Sequence, residues 1–169
     1  GDGVPGGWAE IRYDTMSSAP VPGTGVSGYV YDSEMENGPK GPLNKPLAGV
    51  LITVDGHEQE LRAETDETGF FLLSPCPVGR FFVHIDGRPA VGSDWPGGAY
   101  YPFVGKTFES TAGQTNARPG GASAIYLPKV AAGALQPVSA VADATIEFPA
   151  SVIAARPELA GVQVTVPAN

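Results

Sequence analysis

The fold class this sequence predicts is all-β, and three observations predict it. Its 169 residues include 23 glycines and 17 prolines, about a quarter of the chain, a level at which short strands joined by turns displace long helices. Apolar residues recur with a period of two in several short runs, the signature of half-buried strands. Hydrophobic residues make up 42% and charged residues 17%, so the chain can bury a core and falls outside the composition of disordered segments. The length suits one domain of about 100 residues with appendages and is too short for two full-sized enzymes.

Charge and cysteine count narrow the classes further. Ten basic against 18 acidic residues leave a formal charge of −8 and a pI near 4.6, which removes the basic footprint of nucleic-acid binding. Cys76 is the one cysteine, so no internal disulfide can staple the fold. No apolar run approaches the roughly 18 residues of a membrane span. The opening Gly1-Asp2-Gly3 has neither a basic nor an apolar leader, and the expectation is a piece of a longer chain. Little lysine among abundant Gly, Pro, Ser and Thr suits a secreted or cell-surface bacterial protein.

Residues 1–24 read as an extended N-terminal arm with one short strand, Trp8 to Tyr13. The main β domain is expected over 25–129. In its first strand Val26, Gly28, Val30 and Asp32 share one face and Ser27, Tyr29 and Tyr31 the other. Ser33 to Pro46, dense in Glu, Gly and Pro, reads as a loop. A second strand follows with Val50, Ile52 and Val54 on its apolar face, closed by a tight Asp55-Gly56 hairpin turn. The third, Glu58 to Thr65, is polar enough for a sheet edge. Asp66-Glu67-Thr68-Gly69 is a turn into Phe70-Phe71-Leu72-Leu73, apolar enough for both faces to be covered. After the break at 75–79, Phe81, Val83 and Ile85 alternate with Phe82 and His84. Residues 87–122 form a long Gly/Pro/aromatic loop that either holds short strands of its own or has a task, and Ser123 to Leu127 resumes a strand. The last stretch, 130–169, reads as a linker and a partial C-terminal β module. It has strands at Ala144 to Pro149 and Val162 to Pro167 and a short helical turn within Ser151 to Leu159.

The succession Val26-Ser27-Gly28-Tyr29-Val30-Tyr31-Asp32, Pro46-Leu47-Ala48-Gly49-Val50, Thr65-Asp66-Glu67-Thr68-Gly69-Phe70-Phe71-Leu72 and Pro77-Val78-Gly79 resembles carboxypeptidase regulatory-like domains of the transthyretin-like (prealbumin-like) superfamily. The resemblance implies a seven-stranded Greek-key, Ig-like sandwich over roughly residues 25–130, and a non-catalytic module attached to a larger protein. The run Gly161 to Ala168 resembles the opening strands of ZU-type sandwiches of ankyrins and netrin receptors, which implies a second domain beginning there.

Chemistry-bearing patterns are few. Gly25-Val26-Ser27-Gly28 is one residue short of a nucleophile elbow and opens a strand instead of a strand-to-helix turn. His57 and His84 have no zinc-ligand spacing, so no transition-metal site is expected, and Cys76 between two prolines reads as a buried structural thiol. Asp32, Glu34 and Glu36, with Asp66 and Glu67, offer hard oxygen donors for calcium but lack an EF-hand pattern, and solvated acidic loops of an acidic protein are the favoured account of them. No other cofactor is expected. Trp95, Tyr100, Tyr101 and Phe103 are the ligand-binding candidates, because aromatics on a stiff loop give flat, low-entropy contact surface. The favoured alternative is a satellite core over one end of the sandwich, because so long an excursion must bury something to remain ordered. Two functions follow. One is a spacer or docking module that meets neighbouring domains of its parent protein; the other is a carbohydrate- or peptide-binding module using the aromatic loop.

Overall fold

The computed structural model describes residues 18–39, 41–117, 124–132 and 135–168. The arm strand expected at Trp8 to Tyr13 lies outside them. The strands run β1 (Pro20–Val21), β2 (Gly25–Gly38), β3 (Gly41–Pro46), β4 (Leu51–Val54), β5 (Arg62–Glu64), β6 (Phe70–Leu73), β7 (Cys76–Pro77), β8 (Gly79–Asp86), β9 (Phe103–Ser110), β10 (Thr115–Ala117), β11 (Ala124–Leu127), β12 (Ala144–Glu147) and β13 (Gln163–Val166). A six-residue helix, α1 (Ala150–Ala155), and a 3-10 turn lie between the last two. Among the described residues no helix is long and apolar enough to cross a membrane.

The first sheet is organised around β2. Antiparallel β6 and β3 line one flank, while parallel β10 and β11 line the other, so that Tyr29 faces Phe70 and Ala124 at once. The second sheet is antiparallel in the order β5-β4-β8-β9. Their inner faces share one core: Val26, Val30, Phe71, Leu73, Ile125 and Leu127 from the first meet Ile52, Val54, Phe81, Val83, Ile85 and Phe108 from the second. Each of those positions falls on the inward phase of a period-two run, which is why the sandwich is readable strand by strand. Gly28 occupies an inward position because the Phe71 ring already fills the space a Cβ would enter, at 3.0 Å. The buried Cys76 thiol is pushed up in pKa by burial, against a hydrogen bond with Ser110.

Three local expectations need correction, and each has a physical reason. The loop expected at Ser33 to Pro46 is a hairpin: β2 runs on to Gly38 and returns as β3, with a register shift between Asp32 and Glu36. Ser33 to Asn37 are exposed, so their polar side chains lose no hydration while the backbone ladder forms. Asp55-Gly56 does not close a tight hairpin. The chain makes a further turn, the Leu61 N–H bonding the His57 carbonyl at 2.9 Å, which carries Leu61 into the core. β5 is then short and, as expected, at an edge. Phe70 to Leu73 is covered on one face: Phe71 and Leu73 point inward while Leu72 is exposed. The long segment at 87–122 takes the first of its two expected forms and holds strands of its own: β9, paired with β8 over eight residues, and β10. Gly105 and Lys106 interrupt the apolar alternation of β9 and conceal it. Among the described residues the two main sheets hold nine strands, five and four, where the resemblance implies seven. The C-terminal strands pair antiparallel with α1 beside them as expected, and none of the described residues in β12, β13 or α1 is buried.

Candidate functional site

The outer face of the second sheet gathers most of the unusual side chains. Phe82, His84 and Asp86 of β8 alternate outward, opposite Thr107, Gly105 and Phe103 of β9. Gly105 is required there, since a Cβ would collide with the Phe82 ring lying over it. The His84 imidazole sits between two phenyl rings, 5.8 Å from Phe82 at 80° and 5.0 Å from Phe103 at 45°. Beyond Phe103, the Arg88 guanidinium donates to both Asp86 carboxylate oxygens at 2.8 Å. It lies 5.0 Å from the Phe103 ring centre and 5.6 Å from Trp95, within cation–π range of both. Trp95 leans edge-on against Tyr100 at 4.7 Å. Burial opposes ionisation of Asp86, but the Arg88 hydrogen bonds outweigh it and hold the carboxyl below its ordinary pKa.

The four aromatic candidates are thereby divided. Trp95, 41% exposed, and Phe103, 47%, lie on this face with Phe82, 39%. Tyr100 backs Trp95 and is nearly buried, its backbone bridged to Val130. Tyr101 points the other way, 1% exposed in the core, and its hydroxyl donates to Asp32 Oδ2 at 2.8 Å. Adjacent residues of extended chain face opposite sides, so a run of aromatics cannot all reach one surface. Phe82, His84 and Arg88 were missed as members; the outward phase of Phe82 and His84 was the available signal. A second aromatic row, Phe70, Tyr29, Tyr31 and Tyr126, crosses the outer face of the first sheet. There Tyr29 and Tyr31 are stacked at 5.9 Å.

The acidic candidates are placed separately. Asp32 is buried, bonded by the Tyr101 hydroxyl and the Glu34 N–H, with Lys45 Nζ at 3.3 Å. Glu34 and Glu36 are exposed along the β2 extension, and Glu67 is exposed in its turn. Asp66 Oδ1 accepts from the Thr68 hydroxyl, the Thr68 N–H and the Phe70 N–H, which caps the turn before β6. Among the described residues, the one group of His, Cys, Asp and Glu donors close enough to share an ion is a different set: Asp55, Glu58 and His84. Nearby, Ser18 Oγ lies 2.9 Å from His57 Nε2, and His57 Nδ1 lies 3.3 Å from Glu60 Oε2.

A pH dependence follows from the aspartates. Burial opposes ionisation of Asp32, yet the hydrogen bonds from Glu34, Tyr101 and Lys45 win and lower its pKa; the Thr68 hydroxyl leads in lowering that of Asp66. A depressed carboxylate contributes stability that is present above its unfolded pKa, near about 4, and is lost as pH falls through the folded value. Urea melts should therefore be flat near neutrality and weaken steeply below about pH 4. Asp32→Asn should flatten that acid limb, and an unchanged limb would remove Asp32 from the account.

Comparisons with protein-family models, with curated proteins and with solved structures found no match. What the coordinates define is the class: an all-β chain of two packed sheets, one outer face of which carries exposed aromatics, an imidazole and an ion-paired guanidinium.

Proposed function

We propose that this chain is a non-catalytic docking module of a larger secreted or surface protein, and that it binds a polypeptide segment along the outer face of β8 and β9. The observation that carries this reading is the continuity of Phe82, His84, Phe103, Arg88 and Trp95 across one exposed face. Tryptophan and arginine are the residue types that dominate binding energy at protein interfaces, and here both are held in place before a partner arrives. The rings are mutually tilted and present no single flat platform of the kind a sugar ring stacks on. The C-terminal hairpin also suits attachment, because two strands with no buried residue are marginal alone and gain from a neighbour.

The Ser18, His57 and Glu60 contacts follow the order hydroxyl, imidazole, carboxylate. Glu60, however, is 77% exposed, and water competes for a carboxylate that would have to orient the imidazole. We read the contacts as a tether for residue 18 against the 57–61 turn.

The test is a peptide array and a glycan array probed with the parent chain and with Trp95→Ala and Phe103→Ala. Each substitution should weaken peptide binding by about 30-fold, the equivalent of about 2 kcal/mol at an anchor residue. Melting should fall less than for a core aromatic, since Trp95 is 41% and Phe103 47% exposed. Peptide binding that is indifferent to both substitutions, or binding confined to glycans, would overturn the reading.

A further inference from the structure

We propose that Asp55, Glu58 and His84 form a binding site for one divalent transition-metal ion of the zinc type. The site goes beyond the docking role and does not depend on it. Three donors arrive from two elements: His84 from the centre of β8, Asp55 from the end of β4, and Glu58 from the turn that follows. Asp55 Oδ1 lies 3.3 Å from His84 Nε2 and Glu58 Oε1 lies 3.7 Å from His84 Nδ1; one donor atom from each residue falls within 4.8 Å of the other two. Donors about 2.1 Å from a tetrahedral zinc stand roughly 3.4 Å apart. An ion takes one imidazole nitrogen, so binding at Nε2 beside Asp55 requires the solvent-facing Glu58 carboxylate to swing from Nδ1 to the same side.

The surroundings hold these side chains in place. The Asp55 N–H donates to the Phe82 carbonyl at 3.0 Å, which ties the turn to the neighbouring strand. Gly56 takes φ +77° and its N–H donates to Glu58 Oε1 at 2.9 Å, folding Glu58 back toward β8. Phe82 and Phe103 fix the plane of the imidazole, which is 21% exposed and so open to solution on one side. Two carboxylates and a neutral imidazole carry a charge of −2, matching a dication. One nitrogen and a few oxygens suit zinc, copper or nickel; calcium asks for six to eight oxygens and finds too few. With three protein donors, a fourth position is left for water or a ligand. No periodic His or Cys spacing could disclose such a set, because the strand pairing of β4 with β8 creates it.

The experiment is titration of the full chain, free of any affinity tag, with zinc chloride by calorimetry and by thermal melt, with calcium chloride in parallel. One zinc per chain is expected, with a rise in melting temperature that calcium at the same concentration does not produce. His84→Ala and Asp55→Asn should each weaken zinc binding at least about tenfold, since loss of a direct donor exceeds the loss of an outer-shell partner. Asp55 lies in an exposed turn, so that second variant keeps the test open if His84→Ala disturbs β8. His57→Ala and Trp95→Ala should bind zinc like the parent, which separates the site from the His57 to Glu60 pair and from the docking face. Absence of saturable zinc binding, binding retained in His84→Ala and Asp55→Asn, or binding lost in His57→Ala would each overturn the assignment.

Discussion

Tyr101→Ala is expected to lower the free energy of unfolding by about 3–5 kcal/mol, the range for removing a large buried ring. The residue joins the two sheets from within. The residue is 1% exposed, its Cβ packed so closely on Gly87 that a methyl there would strike it, and Lys129 Nζ lies 5.5 Å from the ring centre. Its hydroxyl serves a carboxylate that is itself 1% exposed. Tyr101→Phe separates the two contributions: the packing remains, and loss of one hydrogen bond to a buried charge should remove about 1.5–3 kcal/mol. Lys45 and the Glu34 N–H still hold Asp32, so that variant should fold. Urea denaturation of both variants beside Trp95→Ala checks the prediction. Similar losses for Tyr101→Ala and Trp95→Ala would mean that the loop aromatics act as one unit and that Tyr101 is not part of the core.

Gly69→Ala is expected to remove about 2–4 kcal/mol, and here the cause is backbone geometry. Gly69 takes φ +76°, which for a residue with a Cβ costs roughly 1–2 kcal/mol. The Cβ would also run into the Val30 carbonyl oxygen, with Pro46 Cβ next at 3.3 Å and Leu47 N at 3.4 Å. That carbonyl accepts from Leu47 N–H at 3.0 Å, and the Gly69 carbonyl accepts from Val30 N–H at 2.8 Å. Relieving the clash strains both bonds, each worth about 1 kcal/mol. Gly56→Ala is the matched control: φ is +77°, but nothing lies within 4 Å of the Cβ position. It should lose only the conformational part, about 1–2 kcal/mol. Equal losses in the two variants would show that β2 yields to the extra methyl and that the close approach contributes nothing.

Much of the sandwich was legible because a strand announces itself through neighbours two residues apart. Val26 to Asp32, Val50 to Val54 and Phe81 to Ile85 sort their side chains correctly without reference to any partner. The turn at Asp66 to Gly69 was equally local: its capping bonds come from Thr68 and Phe70, and its glycine from the positive φ. The misreadings share a cause. Ser33 to Pro46 is held by pairing with its own return strand, and Phe103 to Ser110 by an eight-residue ladder with β8, so neither needs an apolar alternation of its own.

The sequence by itself determined the class of fold, the inward phase of the main strands, the turn that needs Gly69 and the presence of aromatics near residues 95–103. Tertiary structure decided which of those aromatics face water, that Asp32 is bound to Tyr101 and Lys45 instead of facing solvent, and that Asp55 and Glu58 meet His84. The reason is the range of the forces involved. Side-chain alternation and turn geometry are set within a few residues, whereas a site is set by register between strands far apart in the chain, and register is fixed only when the two sheets close on a shared core.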